Sequence, residues 1–409
     1  MKYLVLIPDG AADWPVPALG GRTPLEAAAT PNLDRIAREG ECGRVRTVPD
    51  GMDPGSDVAG MSIFGNDPAA VYTGRAPLEA ASMGVALADA DVAVRCNLVS
   101  TGGAAVEDEG AVMADYSAGH ISTEEGRRIV ADFRESDLYA ERFLPAFELF
   151  PGVGYRHLLV WRGGSTDAKL VPPHDITGQP LAPHLPQGPA GPNLLGLMAL
   201  AHPWLLLHPV NRERRGRGLP AADNFWFWGA GRRPALAPFA QRHGLSGAVI
   251  SAVDLVNGIG VLMGLERVTV PGATGYVETN YRGKAEHALA ALARHDVVFV
   301  HIEAPDEAGH AGEAAEKVRA LERIDAEFLG TALPGLARLG PHRVLVAPDH
   351  YTPIARRSHV GEPVPFAIWP RPGAAGAGAA RFTEAEVAKT GLAVERGHEL
   401  LGRLFSQEG

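Results

Sequence analysis

Three short apolar runs, each followed by acidic or imidazole side chains, constrain the fold of this chain more than any other feature. KYLVLIP at 2–8, VVFVHIEAP at 297–305 and RVLVAP at 343–348 are followed by Asp9, Asp306 and Asp349-His350. Runs without polar alternation predict strands that are buried on both faces of a parallel sheet. Because ligands of open α/β sheets gather beyond the carboxyl ends of the strands, we expect these side chains to meet at one edge.

Helical and strand-like patterns alternate around these runs. Residues 247–252 are strand-like, 283–294 and 313–329 are helical, and Thr30 caps a helix that has Pro31 in its first turn and ends at Gly40. Alternation of this kind predicts a parallel sheet with helices on both faces.

The middle of the chain has a different pattern. It contains short β-like runs at 91–99 and 155–161, one acidic helix that starts near Ser122-Thr123, and a proline-rich stretch at 180–192. We therefore predict a discontinuous α/β metal-binding domain, residues 1–75 and 236–409, into which a smaller α+β substrate-binding domain, residues 76–235, is inserted. The proline-rich stretch and GAAGAGAA at 373–380 are expected to be surface loops.

Side-chain spacing near the strand ends indicates metal ligation. Asp306 and His310 are four residues apart and share a face of a helical turn or tight loop, Asp349-His350 splays from a strand end, and His359 follows after a short loop. Mixed carboxylate and imidazole ligands suit manganese, zinc, cobalt or iron, and suit magnesium less well. Two divalent ions, with manganese preferred, would fit this set.

Ser56 is the predicted nucleophile. It follows Pro54-Gly55, and we expect it to cap a helix that begins at Asp57. Helix amides beside it would accept the charge of a phosphate, and a metal ion would activate its hydroxyl. The alternative is a capping serine without a catalytic role.

Composition excludes several classes of protein. A net charge of −10 over 409 residues argues against a nucleic-acid binder. Cys42 and Cys96 are too few for a disulfide framework and are expected in the core. We see no signal peptide and no apolar stretch long enough to cross a bilayer, so we expect a cytoplasmic enzyme without a membrane partner.

Many longer strings are similar to one known family. They include LIPDGAADWP at 6–15, PGSDVAGMSIFGNDP at 54–68, DYSAGHISTEE at 115–125, PHDITGQP at 173–180, HIEAPDEAGHAG at 301–312 and PDHYTPIARRSHVGEPVPF at 348–366. Through them the chain resembles the archaeal-type cofactor-independent phosphoglycerate mutases of the alkaline phosphatase superfamily. Asn66 and Ala76 depart from the usual strings, and neither is a proposed ligand.

The resemblance implies an alkaline-phosphatase-like fold and a ligand set. Asp9, Ser56, Asp349 and His350 would serve one metal ion, and Asp306, His310 and His359 the other. It also implies interconversion of 3-phosphoglycerate and 2-phosphoglycerate through a phosphoserine, without bisphosphoglycerate.

The inserted domain is expected to bind the organic end of the substrate. The candidates, each in a family-like string, are Arg95, His120, Arg156, His174, Asp175 and Arg212. Asp175 would act as a base. Lys284 is either a substrate contact or a solvated helix start, and Trp226 and Trp228 are interpreted as packing residues rather than a stacking platform.

The sequence leaves three alternatives to this mutase reaction. The same apparatus could hydrolyse or transfer phosphate on another alcohol, for example in a branch proposed to act on homoserine. A non-catalytic paralogue is disfavoured because every ligand position is intact, and an ordinary kinase is disfavoured because no G-x-x-x-x-G-K-[ST] loop occurs.

Overall fold

The computed structural model describes residues 1–370 and 377–406, so the first four residues of the expected loop at 373–380 lie outside it. Within these residues the strands are β1 Lys2–Pro8, β2 Glu41–Val45, β3 Val92–Val99, β4 Phe147–Val153, β5 Arg156–Trp161, β6 Asn224–Gly231, β7 Gly247–Ile250, β8 Glu266–Arg267, β9 Val297–Ile302, β10 His342–Val346, β11 Val364–Trp369 and β12 Ala393–Val394.

The α-helices are α1 Pro24–Ala27, α2 Pro31–Glu39, α3 Ser56–Ile63, α4 Pro68–Val71, α5 Ala76–Ser82, α6 Thr123–Arg134, α7 Asp137–Arg142, α8 Gly191–Leu207, α9 Pro209–Gly216, α10 Phe239–His243, α11 Asp254–Leu262, α12 Tyr281–Arg294, α13 Ala304–Ala311, α14 Ala314–Arg323, α15 Gly330–Leu339, α16 Glu384–Ala388 and α17 Leu400–Phe405. A π-helical turn, Ile324–Leu329, joins α14 to α15. Short 3-10 turns occur at Pro17–Leu19, Pro173–Ile176, Ala182–His184 and Gly397–Glu399.

The chain divides into two compact units, Met1–Tyr72 with Ala235–Gly409 and Thr73–Pro234. The first unit contains an eight-stranded sheet in the order β12-β2-β11-β10-β1-β9-β7-β8. Its centre is parallel, since β1 pairs with both β10 and β9 and β9 pairs with β7 in the same direction. The predicted α/β class is thus confirmed, with one difference: β11 runs antiparallel to both of its neighbours.

The three apolar runs form adjacent strands at the middle of this sheet. β9 is buried along its whole length, and so is β1 after Lys2, which requires that both faces be covered. A core of Leu, Ile, Val, Ala and Phe side chains surrounds them. Because β10, β1 and β9 are parallel neighbours, the residues that follow them emerge at one sheet edge.

The second unit is built on a four-stranded antiparallel sheet in the order β4-β5-β3-β6. The strands predicted at 91–99 and 155–161 are confirmed as β3 and β5, and α6 starts at a capping box formed by Ser122 and Glu125. The acidic helix predicted near Ser122-Thr123 is confirmed as α6, and the other helices of this unit were not predicted. Five helices lie in this unit, α5 to α9, and the 180–192 stretch contains a 3-10 turn and the start of α8.

Local predictions in the first unit had mixed outcomes. The helix from Pro31 to Gly40 is confirmed, but the Thr30 side chain makes no capping hydrogen bond. The helix expected at 313–329 is interrupted by the π-helical turn and continues to Leu339.

Cys42 and Cys96 are buried thiols, as expected. No single described helix is long and apolar enough to cross a membrane; only α8 and α9 together pass on length and composition, and they are bent by 60°.

Candidate active site

The structure gathers the first four predicted ligands at the carboxyl end of β1. The Oδ1 atom of Asp9 lies 3.5 Å from Nε2 of His350, and Oδ2 of Asp349 lies 3.3 Å from the same nitrogen. Ser56 Oγ is 3.2 Å from it. Asp9, Asp349 and His350 are buried and have a spacing that could hold a metal ion.

The expected capping role of Ser56 was wrong. Gly55 occupies the capping position, and Ser56 is the first residue of α3. Ser56 Oγ contacts Nε2 of His350 instead of accepting from an amide of its own helix.

The remaining three predicted ligands form a second group next to the first. Asp306 and His310 both lie on α13, and Oδ2 of Asp306 is 3.3 Å from Nε2 of His310. Nε2 of His359 is 3.4 Å from Oδ1 of Asp306. Asp306, His350 and His359 can hold a second ion, so His350 belongs to both groups.

Hydrogen bonds to the far side of each ring show how these histidines are oriented. Nδ1 of His310 lies 3.0 Å from the carbonyl of Arg357, and Nδ1 of His359 lies 3.3 Å from that of Pro54. A carbonyl can only accept, so both Nδ1 atoms carry a proton, and in the neutral form of each ring the lone pair is on Nε2. The two Nε2 atoms lie 2.8 Å apart.

The same assignment holds for His350. Thr352 donates its hydroxyl proton to Asp306, so Thr352 Oγ1 accepts from His350 Nδ1 at 3.2 Å. Three imidazole Nε2 atoms therefore converge on carboxylates and on one another, an arrangement that needs a proton or a metal cation between them. Outer hydrogen bonds that fix the ring tautomer are typical of metal-ligating histidines.

Some carboxylate oxygens of the site accept hydrogen bonds from the protein, and others have no hydrogen-bond partner. Oδ1 of Asp349 accepts from the backbone N–H groups of Gly10, at 3.1 Å, and His350, at 2.9 Å. Oδ2 of Asp349 and Oδ1 of Asp9 are buried and have no hydrogen-bond partner. Buried polar atoms are normally satisfied, so two oxygens without hydrogen-bond partners fit the ligation of a cation.

The charges agree with this interpretation. Burial, followed by the nearby Asp349 and Asp306 carboxylates, raises the pKa of Asp9 well above its usual value. The hydrogen bond with Asp306 raises the pKa of His310 to about 9. In the metal-free protein, protons thus occupy positions that a cation would take, because the site holds more negative charge than its buried surroundings tolerate.

Gly10 lies where the end of β1 packs too closely against Thr352 and Asp306 for a side chain to fit. Its φ of +60° is in the left-handed region, and a Cβ there would lie 2.5 Å from Thr352 Oγ1 and 2.7 Å from Asp306 Oδ1. Glycine lets the end of β1 approach the ligand loops.

Sequence reasoning missed two residues that contact this site. His301, on β9, lies with Nε2 3.0 Å from Oδ2 of Asp9, and burial lowers its pKa to about 4, so it is neutral. Thr352 connects Asp306 to His350. A polar residue at the carboxyl end of an apolar strand was the available signal for His301; Thr352 had none.

Lys284 is not a solvated helix start. It is fully buried in the first turn of α12, and its Nζ donates to the backbone carbonyl of His301 at 3.3 Å. Burial lowers its pKa to about 8.

In the second unit the structure brings together four of the predicted substrate-binding residues. The Arg95 guanidinium stacks on Trp228 at 4.0 Å, and the His174 ring lies 5.2 Å from the same indole. The rings of Tyr116 and Tyr155 connect His174 to His120, and Arg156 stacks on Tyr155. We call Arg75, Arg95, His120, Arg156, His174 and their aromatic neighbours the arginine–aromatic cluster.

This cluster is strongly cationic. Burial, partly offset by Glu79 at 2.9 Å, and repulsion from Arg75 and Arg156 lower the pKa of Arg95. Nε of Arg95 is buried without a hydrogen-bond partner. The arrangement fits an anion, and Arg75, which sequence reasoning did not identify, belongs to it.

The other residues predicted in this unit have different positions. Asp175 is exposed, with Oδ1 3.6 Å from His174 Nε2. Arg212 is exposed on α9, and no hydrogen bond, ion pair or ring stacking joins it to the cluster within residues 1–370 and 377–406. Trp226 and Trp228 are buried as predicted, but Trp228 is also the stacking platform for Arg95.

Sequence comparison identifies the family. The family model described as 2,3-bisphosphoglycerate-independent phosphoglycerate mutase matches residues 37–211. A Geobacter sulfurreducens protein named "Probable 2,3-bisphosphoglycerate-independent phosphoglycerate mutase" is 49% identical, with 100% of both chains covered. The chain belongs to this family. A Methanothrix thermoacetophila protein named "2,3-bisphosphoglycerate-independent phosphoglycerate mutase" is 48% identical, with 99% of this chain and 100% of the relative covered.

Two solved structures share the fold of this chain. A Pyrococcus horikoshii protein has a TM-score of 0.80 at 28% identity and covers 100% of this chain and 98% of its own. The cofactor-independent phosphoglycerate mutase from Thermoplasma acidophilum has a TM-score of 0.66 at 26% identity, with 100% of both chains covered.

Proposed function

We propose that this mutase interconverts 3-phosphoglycerate and 2-phosphoglycerate through a phosphoserine at Ser56, without bisphosphoglycerate. The observation that carries the proposal is the position of Ser56 Oγ, 3.2 Å from a histidine that belongs to both groups of metal ligands. A serine placed there can receive a phosphoryl group and return it to a second hydroxyl of the same molecule.

Two divalent ions fit the donors around Ser56. Asp9, Ser56, Asp349 and His350 would hold one, and Asp306, His310 and His359 the other. Manganese suits three imidazoles among carboxylates better than magnesium, with zinc and cobalt as alternatives. When bound, the ions would lower the pKa of the serine hydroxyl and offset charge on the phosphoryl oxygens.

The residues of this chain account for each transfer. In the first, a bond forms between Ser56 Oγ and phosphorus, the bond from phosphorus to the 3-oxygen breaks, and the serine proton ends on that oxygen. In the second, a bond forms between the 2-oxygen and phosphorus and the bond from phosphorus to Ser56 Oγ breaks; Asp175 is proposed to take the proton of the 2-hydroxyl, which finally returns to Ser56 Oγ. Lys284 supplies positive charge next to His301, whose ring contacts Asp9.

The arginine–aromatic cluster is proposed to hold the glycerate carboxylate between the two transfers. Guanidinium groups that repel one another gain most from a bound carboxylate, because it relieves the repulsion and forms charge-assisted hydrogen bonds. Phosphohomoserine is a poorer fit, since its ammonium group would be repelled by the same arginines. Retained glycerate can turn and present its 2-hydroxyl.

A phosphorus NMR time course tests this function. Metal-free enzyme is reconstituted with Mn²⁺ and incubated with 3-phosphoglycerate, and Ser56→Ala is the matched control. The expected result is growth of the 2-phosphoglycerate signal with little free phosphate, and no change with the control. Net phosphate release as the main product would replace the mutase proposal with hydrolysis, and no reaction would overturn both.

A further inference from the structure

Lys317 is a fully buried cation that lies outside the two groups of metal ligands. It is on α14, the helix that follows the ligand-bearing α13. Its Nζ donates to Oδ2 of Asp13 at 2.7 Å and to the backbone carbonyls of Thr352, at 2.8 Å, and Ala12, at 3.3 Å. An ammonium group has three N–H donors, so each of them has an acceptor. Lys317 thus joins the loop after β1 to the segment that follows His350.

Asp13 holds the same segment at its other end. Its Oδ1 and Oδ2 atoms both accept from the backbone N–H of Ile354, at 3.2 Å. The backbone N–H of Asp13 in turn donates to Oε1 of Glu384 at 3.0 Å, which fixes the loop that carries the carboxylate. The ion pair therefore binds the carbonyl at the start of residues 352–354 and the amide at their end.

Thr352 connects this segment to the metal ligands. Its Oγ1 donates to Oδ1 of Asp306 and lies 3.2 Å from Nδ1 of His350. Its backbone also packs directly on α13, since a Cβ added to Gly309 would lie 2.6 Å from the carbonyl oxygen of Thr352. A shift of residues 352–354 would therefore weaken the hydrogen bond to Asp306 or collide with the helix that carries this ligand.

Stability alone does not account for the ion pair. Lys317 is 0% and Asp13 is 2% exposed, so both charges are removed from water. The cost of desolvation offsets most of the attraction in such a pair, and apolar side chains of similar volume often stabilise a fold as well or better. What the pair adds is direction, because its hydrogen bonds fix two backbone groups next to a residue that contacts the ligands.

We propose that Lys317 and Asp13 are positioning residues. Their ion pair places residues 352–354 so that Thr352 holds Asp306 and His350 for the ion of the second group of ligands. The inference rests on the proposed metal binding and deepens it, since it names residues outside the ligand set that control affinity for the metal. The competing explanation is that the pair stabilises the fold alone, in which case metal binding would change in parallel with stability.

Calorimetric titration of Mn²⁺ into metal-free protein, combined with urea unfolding, separates these explanations. Lys317→Met removes the donor to Thr352 but leaves the Asp13 carboxylate buried and unpaired. A double variant, Lys317→Met with Asp13→Asn, removes both charges and should recover much of the lost stability. The carbonyl of Thr352 still lacks its donor in the double variant, so metal affinity should not recover.

Three other variants complete the experiment. Thr352→Val removes the hydroxyl that contacts the ligands, and Thr352→Ser restores it. Asp325→Asn is the matched control, because Asp325 is also a buried carboxylate of the first unit. Its oxygens accept from the backbone N–H groups of Leu33, at 2.8 Å, and Asn32, at 3.2 Å, and its loss should lower stability without moving a ligand.

We expect the wild type to bind two ions, and His359→Ala, which loses a ligand of the second group, to show which ion belongs to that group. Thr352→Val should weaken this ion by about 10–100-fold, the usual effect of losing an outer hydrogen bond to a metal ligand. Thr352→Ser should stay within a few-fold of the wild type. The double variant should weaken the same ion by about 10-fold although it is more stable than Lys317→Met. Asp325→Asn should bind both ions as the wild type does.

A double variant that binds both ions as tightly as the wild type overturns the proposal. Unchanged binding by Thr352→Val, or binding by Thr352→Ser as weak as by Thr352→Val, does so too. Asp13→Asn alone, which keeps the shape of the carboxylate, replaces a double variant that does not fold, and the same outcomes decide. A wild type that binds no Mn²⁺ would instead contradict the proposed function, so the two failures are distinguishable.

Discussion

Replacing Lys284 by methionine should stabilise the protein while it impairs the reaction. Lys284 is fully buried, its Nζ has a single long hydrogen bond, and it occupies the first turn of α12, where the helix dipole repels a cation. These features oppose stability. Because buried Lys284 lowers stability at this position, we attribute its presence to function.

The size of the expected stabilisation follows from the pKa of Lys284. Burial lowers the pKa of Lys284 from 10.5 to about 8, and a shift of about 2.5 units corresponds to about 3 kcal/mol. Below pH 8 both the folded and the unfolded chain hold the proton, so the folded state carries the whole penalty. Between pH 8 and 10.5 the unfolded chain binds more protons, so wild-type stability rises with pH, and above 10.5 the penalty is absent.

Urea unfolding in the presence of a chelator, at pH 7 and at pH 10, is the assay. Lys284→Met should unfold at higher urea than the wild type at pH 7, and the difference should shrink at pH 10. Its mutase turnover should drop by about 10²–10³-fold, the usual effect of removing one group that stabilises transition-state charge.

Lys317→Met is the matched control. Lys317 is equally buried, but its Nζ lies 2.7 Å from Oδ2 of buried Asp13 and donates to Thr352 O at 2.8 Å. Removing it leaves a buried carboxylate unpaired and should destabilise by about 3–5 kcal/mol. A Lys284→Met protein that is less stable than the wild type at pH 7 would refute the reasoning.

Four further outcomes are expected. Ser56→Ala should abolish mutase and phosphatase turnover with metal content retained; residual turnover would indicate another nucleophile. Gly10→Ala should cost about 1–2 kcal/mol for its left-handed backbone and weaken metal binding, as calorimetry and thermal unfolding would show. Chelation should remove activity, and manganese should restore it better than magnesium. Because the pKa of His310 is about 9 without metal, metal binding at pH 7 should release a proton. The affinity for the metal should therefore rise with pH up to about 9. His174→Ala should increase the fraction of free phosphate in the NMR time course, and an equal loss of both products would exclude glycerate retention by this residue.

The sequence by itself determined the sheet centre and the choice of ligand residues. Unalternating apolar runs identify strands buried on both faces, and the polar residues that follow parallel neighbours must emerge at one edge. The helices missed in the second unit show the limit of such patterns. α8 is GPNLLGLMALAHPWLLL, which is apolar on all sides and contains Pro192 in its first turn and Pro203 in its interior, so no periodicity distinguishes it.

Only the tertiary structure decided how each ligand is held. Ser56 could not be distinguished from a capping serine until the backbone placed Gly55 at the cap. The hydrogen bonds that orient the histidine rings come from distant segments, such as the Pro54 carbonyl for His359 and the Ser251 hydroxyl for His301. Hydrogen bonds between residues tens or hundreds of positions apart leave no local sequence signal, because they arise from strand order and loop packing rather than from neighbouring residues.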